Sequence, residues 1–210
     1  MSLVSNLFLL FVAVSVFVYY IVPHKLQWLV LLCFSYIYYL AGGVRYVGFL
    51  LFSTLVTWLV ALAVEKTEAG GNHKGARNFL VLGLILNFGM LGVVKYTNFA
   101  IDNLNALFHM NLRGMEILLP LGISFYTFQS SGYLLDVYWK RCEAEKNPVK
   151  YALFVSFFPQ ILQGPIGRYS RLARQLYEPH NFDGKNITRG FERILWGFFK
   201  KMILADWAAV

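Results

Sequence analysis

Charge is scarce in this sequence. Asp, Glu, Lys and Arg make up 14% of its 210 residues, where soluble proteins carry roughly 25%. Cysteine is scarcer still: Cys33 sits inside an apolar run and Cys142 in a charged loop, and two such residues build neither a disulfide framework nor a metal knuckle. A Gly-x-Ser-x-Gly nucleophile elbow, a P-loop, internal repeats and low-complexity tracts are all missing. These absences remove elbow-type serine chemistry and P-loop nucleotide chemistry. What fills the chain instead is apolar: 58% hydrophobic, 18% aromatic, mean hydropathy +0.53. That composition excludes disordered and collagenous classes, argues against a secreted globular enzyme, and points to a bilayer.

The formal net charge is +8, which fits either nucleic-acid binding or the cytoplasmic loops of a membrane protein. Position separates the two. Fourteen of the 19 Lys and Arg lie at or after Lys95, mostly in short linkers beside apolar runs, as the positive-inside rule requires. No soluble face interleaves basic and aromatic residues, so nucleic acid is excluded as a partner.

A spanning helix needs about 20 mostly apolar residues to cross a hydrocarbon core about 30 Å thick. Leu3 to Val22 meets this without a charge, and it lacks the basic leader and small-residue cleavage site of a secretory signal. Gln27 to Leu40 is shorter and stops at Gly42 and Gly43, while Val44 to Val64 has full length and precedes a glycine-marked loop, Glu65 to Arg77. Asn78 to Val94 follows, ended by Lys95, and the mixed stretch Tyr96 to Glu116 reads as a short amphipathic surface helix. Ile117 to Trp139 is a fifth candidate with a polar burden unusual for lipid. Gln129, Gly132, Tyr133 and Asp136 fall on one arc, and Ser124, Thr127 and Ser131 roughly opposite. Both arcs should face protein or a water-filled cavity, with Asp136 near the interface. Gly190 to Val210 opens a further apolar helix carrying Lys200, Lys201 and Asp206.

The segment Lys150 to Tyr169, KYALFVSFFPQILQGPIGRY, is too short and too rich in proline for a simple span. It reads as re-entrant, entering and leaving on one side. If it crossed, the loop Lys and Arg would divide eight (25, 66, 74, 77, 140, 141, 146, 150) against nine. If it re-enters, residues 168 to 193 join the first group and only Arg45, Lys95 and Arg113 remain opposite. That asymmetry puts the N-terminus outside. Broken backbone at membrane depth survives only inside protein or along a cavity. Pro159, Gly164 and Pro165 would therefore fix the break, Gln160 and Gln163 would line a polar pocket, and Arg168 would anchor the cytoplasmic end. The competing reading is an interfacial amphipathic helix.

The runs LPLGISFYTFQ (119–129), LLDVY (134–138) and FVSFFPQILQGPIGRY (154–169) resemble the membrane-bound O-acyltransferase family, in its bacterial branch typified by alginate O-acetyltransferases. They are less like the branch that D-alanylates teichoic acid. The resemblance implies an all-α, polytopic membrane helical bundle with a re-entrant, proline-broken segment. Residues 1–116 would hold the N-terminal membrane helices and 117–210 the start of the acyltransferase core. It also implies transfer of a small acyl group, acetyl first, to hydroxyls of an exported polysaccharide, at a multi-pass plasma-membrane site. The donor would be an acyl thioester, acyl-CoA or an acyl-carrier protein, used as substrate with no bound cofactor or metal, and a periplasmic or extracellular acyl-transfer protein would be a partner. Family members use a histidine in a later apolar segment. Here His24, His73, His109 and His180 all lie in loops or at loop edges, so the catalytic histidine is expected beyond Val210. The alternatives are transfer to a lipid or teichoic-acid acceptor, half of a transporter, or a non-catalytic scaffold.

Overall fold

A computed structural model describes residues 6–108, 113–114, 120–161, 164, 167–205 and 207. Those residues are helical and contain no strand: α1 (Asn6–Ile21), α2 (Gln27–Gly42), α3 (Val44–Ala69), α4 (His73–Phe108), α5 (Ile123–Tyr138), α6 (Pro148–Ser156), α7 (Phe158–Ile161), α8 (Tyr169–Tyr177) and α9 (Gly184–Phe199). Two of them, α3 and α4, are long and apolar enough to cross a membrane. The chain forms two compact units, residues 28–178 and a smaller one made of 1–27 with 179–210.

In the larger unit, α3, α4 and α5 pack on one another, with α6 against α3. The buried positions of α3 (Leu50, Ser53, Thr54, Thr57, Val60, Ala61, Val64) and α4 (Ala76, Leu80, Gly83, Asn87, Leu91, Val94) recur every three or four residues, one stripe on each helix. The stripes meet around a polar clasp. Ser53 donates to Asn87 Oδ1 at 2.6 Å, and Asn87 Nδ2 donates to Thr57 Oγ1 at 3.0 Å and to the Gly83 carbonyl at 2.9 Å. Gly83 marks a close approach of the three helices: a Cβ there would lie 2.8 Å from Val60 Cγ1 and 2.9 Å from Leu134 Cδ1. Close approach through a small residue is how helices associate where lipid removes the hydrophobic drive.

Helix ends differ from the sequence expectation in two places. The expected loop Glu65 to Arg77 shrinks to Gly70–Asn72, because only Gly71 adopts positive φ (77°), while Asn72 caps α4 by accepting the Gly75 N–H at 2.9 Å. Lys95 does not end α4 either. The helix runs on to Phe108, since Lys, Ala and Leu are good helix formers and neither Gly nor Pro occurs between 95 and 108. The other limits also move: α5 begins only at Ile123, after Gly122 in the left-handed region (φ 69°), and α9 begins at Gly184 behind the Asp183 cap.

In the smaller unit, the end of α1 and the turn after it clasp residues 180–182. Gln27 brackets His180 with two bonds, Nε2 to its carbonyl at 2.9 Å and Oε1 from its N–H at 2.8 Å. The Tyr19 hydroxyl lies 3.0 Å from His180 Nδ1, His24 Nε2 lies 2.7 Å from Asn181 Oδ1, and the Tyr20 and Phe182 rings meet edge to face at 5.4 Å.

Candidate functional site

The proline-broken segment starts as an ordinary helix. Asn147 caps α6, accepting from the Val149 and Lys150 N–H groups, and Pro148 occupies the first turn, where no N–H is needed. The helix stops at Ser156. Phe157 turns out of helical geometry (φ −52°, ψ 107°), and Pro159 has no N–H for the Val155 carbonyl and a ring that would clash with it, which disfavours a helix running straight through. A continuous helix would join the Phe158 N–H to the Phe154 carbonyl. Here each finds a side chain from another helix: Ser35 Oγ on α2 accepts the Phe158 N–H at 3.2 Å, and Gln129 Nε2 on α5 donates to the Phe154 carbonyl at 2.9 Å.

The short helix α7 (FPQI) is held on several sides. Gln129 Nε2 also lies 3.4 Å from Gln160 Oε1, bringing together two of the residues singled out in the sequence. The Tyr38 ring sits 6.0 Å from that of Phe158, and the Tyr39 hydroxyl donates to the Leu121 carbonyl at 3.1 Å. Gly122 closes the contact: a Cβ there would come 2.7 Å from the Ile161 carbonyl oxygen. Gly164 fills the same need, with Gln160 Cα 2.8 Å from where its Cβ would be.

Beyond the break the chain comes back to where it began. The Tyr169 hydroxyl donates to Glu145 Oε2 at 2.7 Å, and the Tyr177 hydroxyl donates to the Lys150 carbonyl at 2.7 Å. Tyr133, Tyr151, Phe154 and Tyr169 form one ring cluster, with centroids 4.7 to 6.3 Å apart. Glu145 organises this end, since its N–H donates to the Tyr133 hydroxyl and its carbonyl accepts from Trp58 Nε1, both at 2.8 Å.

The other singled-out residues fall as follows. Pro159 is exposed and Gln160 half-buried, while Arg168 is the exposed residue that precedes α8. Gln163 and Pro165 lie outside the described residues. Asp136 is buried at the end of α5, 3.5 Å from Arg141 Nη1. Both polar arcs of α5 face protein, for Gln129, Tyr133, Thr127 and Ser131 are all buried. Ser35 and Gly122 had not been singled out. Ser35 was findable as the lone serine of Gln27 to Leu40, but its partner is 123 residues away.

At the Lys140 end of the bundle, Glu68 Oε1 lies 2.7 Å from His73 Nδ1 and 3.1 Å from Lys140 Nζ. Hydrogen bonds from His73 and then Lys140 hold the Glu68 carboxyl below the usual carboxylate range. Burial, with Asp136 and Glu65 nearby, pushes the Cys142 thiol up to about 11. Among the described histidines, His73 pairs with Glu68, His180 meets Tyr19 and His24 meets Asn181. His109 lies outside the described residues.

Fold and site together define a helical protein with two membrane-capable helices, one of which packs against a broken, side-chain-supported segment. Over 214 residues, 98% of its length, the chain is 36% identical to the probable alginate O-acetylase AlgI of Pseudomonas syringae pv. tomato. It is 35% identical over 210 residues to the protein of that name from Pseudomonas aeruginosa, and 33% identical over 205 residues, 85% of the chain, to the peptidoglycan O-acetyltransferase of Helicobacter pylori. The chain belongs to the membrane-bound O-acyltransferases, in the alginate O-acetylase branch. It spans about two-fifths of the length of these relatives: 40%, 39% and 38% respectively. No family model matches the sequence, and no solved structure matches it.

Proposed function

We propose that this chain is the N-terminal part of an O-acyltransferase that moves an acetyl group from a thioester donor to hydroxyls of an exported polysaccharide. The observation that carries this reading is the near end-to-end similarity to proteins named as O-acetylases of surface polymers. In the reaction, the acceptor oxygen bonds to the thioester carbonyl carbon, the C–S bond breaks, and the thiol leaves with the donor. A general base takes the hydroxyl proton. We assign that base to a histidine in the part of the relatives this chain does not span. Acyl-CoA or an acyl-carrier protein is the donor, and a separate extracytoplasmic transfer protein is the partner.

The protein sits in the plasma membrane as a polytopic bundle, N-terminus outside, and Lys150 to Tyr169 is re-entrant. Two sets of contacts support this topology. Tyr169 and Tyr177 bond Glu145 and Lys150, and His24 and Gln27 bond Asn181 and His180. Each set needs the chain on both sides of the segment to lie at one membrane face, which only an even number of crossings between them allows. Residues 117–210 then begin the acyltransferase core. Gln129 and Gln160 give the broken segment a polar lining, Pro159 and Gly164 hold its shape, and Arg168 continues it to the cytoplasmic face.

The test uses the full-length protein in cells that lack their own polysaccharide O-acetylase, with polymer-bound acetate read by NMR. The expected result is acetate restored by the wild type and reduced at least tenfold, about 1.4 kcal/mol of transition-state stabilisation, by Gln160→Ala at equal membrane abundance. Polymer that remains unacetylated with the wild type would refute the reading. D-alanyl ester appearing instead would favour a second one, motivated by 27% identity over 167 residues to the teichoic acid D-alanyltransferase of Lacticaseibacillus rhamnosus.

A further inference from the structure

Between α3 and α4 runs an open groove of about 770 Å³, within the range of small-molecule sites. Arg45 is its one polar lining residue; the rest are apolar or glycine. On α4 the lining runs from Ile85 to Val94, and nine residues of helical rise make that about 14 Å. Half of a hydrocarbon core is about 15 Å, so the groove has the depth of one leaflet. Gly48 and Gly89 keep it open, since a Cβ at either position would meet nothing within 4 Å. Phe52, Ile85 and Val93 stand exposed along its wall.

The charge sits at one end. The clasp between Ser53 and Asn87 fixes an antiparallel register that brings Arg45, at the start of α3, level with the Val93–Lys95 stretch of α4. Among the described residues no carboxylate pairs with Arg45. It is also one of the few basic residues on the face that the positive-inside rule leaves poor in charge. A leaflet-deep apolar channel with an unpaired guanidinium at its mouth complements a ligand with an alkyl chain and a phosphate.

We propose that this groove binds one glycerophospholipid of that leaflet, with an acyl chain along Gly48 and Gly89 and the phosphate on Arg45. The site is separate from the broken segment and does not depend on the acyl-transfer reading.

Native mass spectrometry of the full-length protein in detergent, with added dipalmitoylphosphatidylglycerol, tests it. The wild type should retain one lipid and should not retain dipalmitoylglycerol, which has the chains without the phosphate. Arg45→Gln should weaken retention roughly fivefold, the worth of one basic residue facing anionic lipid. Gly89→Leu fills the groove from an open position and should also lower occupancy. A chain-diazirine analogue of the lipid should crosslink to Phe52 or Ile85. Equal retention by the wild type and both variants would overturn the proposal. So would equal retention of dipalmitoylglycerol, or absence of lipid and crosslinks because another part of the protein covers the groove.

Discussion

Ser35 and Phe158 are joined across 123 residues by a bond that an unbroken helix would have made within itself. Ser35 Oγ takes the Phe158 N–H, and Gln129 supplies the donor that the Phe154 carbonyl lost. Removing either side chain strands a buried backbone group, at a cost of about 1–3 kcal/mol. Ser35→Ala and Gln129→Leu should each lower the thermal midpoint of the purified protein. Together they should cost less than the sum, because the freed N–H and C=O belong to one break and share a single local relaxation. Strict additivity in a thermal-shift cycle would mean that the break is not held by this pair.

Gly122 is the second control on the break. Its positive φ and the 2.7 Å approach of the Ile161 oxygen to a Cβ make Gly122→Ala both strained and crowded. The left-handed conformation alone costs an alanine about 1–2 kcal/mol. Gly132, inside α5 with nothing within 4 Å, is the control, and its alanine variant should unfold at or above the wild-type midpoint. If the two variants behave alike, the contact with α7 is not what Gly122 is for.

Cys142 should be a slow nucleophile. A thiol pushed up to about 11 is thiolate in roughly one molecule per thousand at pH 8, about a hundredfold fewer than an ordinary cysteine. In a variant with Cys33 replaced by Ala, maleimide labelling should be slow at pH 8 and climb steadily through pH 10. A rate that plateaus by pH 9 would contradict the burial of this loop.

The Glu68 carboxyl is held below its ordinary value by His73 and Lys140, so its contribution to stability has a definite sign. The charged form is favoured in the folded state. The stabilisation is therefore fully present above the unfolded carboxylate range near pH 4.3 and is lost as pH falls through the lower folded value. Glu68→Gln should be less stable than the wild type at pH 6, and the two should converge in acid. A gap that persists at the lowest pH would assign the effect to packing instead.

Sequence alone reached the two membrane-capable helices and the polar burden of the central helix, because apolar runs and 100° periodicity are local properties. It reached the break as well, since Pro159 and the short apolar length are local too. It missed Ser35 and Gly122, whose roles are defined only by what faces them from distant helices. It also overestimated the loop after Val64: three glycines looked like a turn, yet only Gly71 needed the conformation that glycine permits. Lys95 looked like a stop because charge is costly in hydrocarbon. A helix has no reason to end where the membrane does.

That last point has a mechanical outcome. Thirty-six residues make α4 about 54 Å long, and about 33 Å of that separates His73 from Lys95. A bilayer about 30 Å thick is matched by the first part alone, leaving some 20 Å of rigid rod, including Asp102 and Asn103, to stand clear of the headgroups or to force a tilt. A thicker membrane would swallow part of that rod and steepen the helix. Since α3, α4 and α5 pack on one another around Gly83, such a change of angle would also move α5, the helix that carries Gln129.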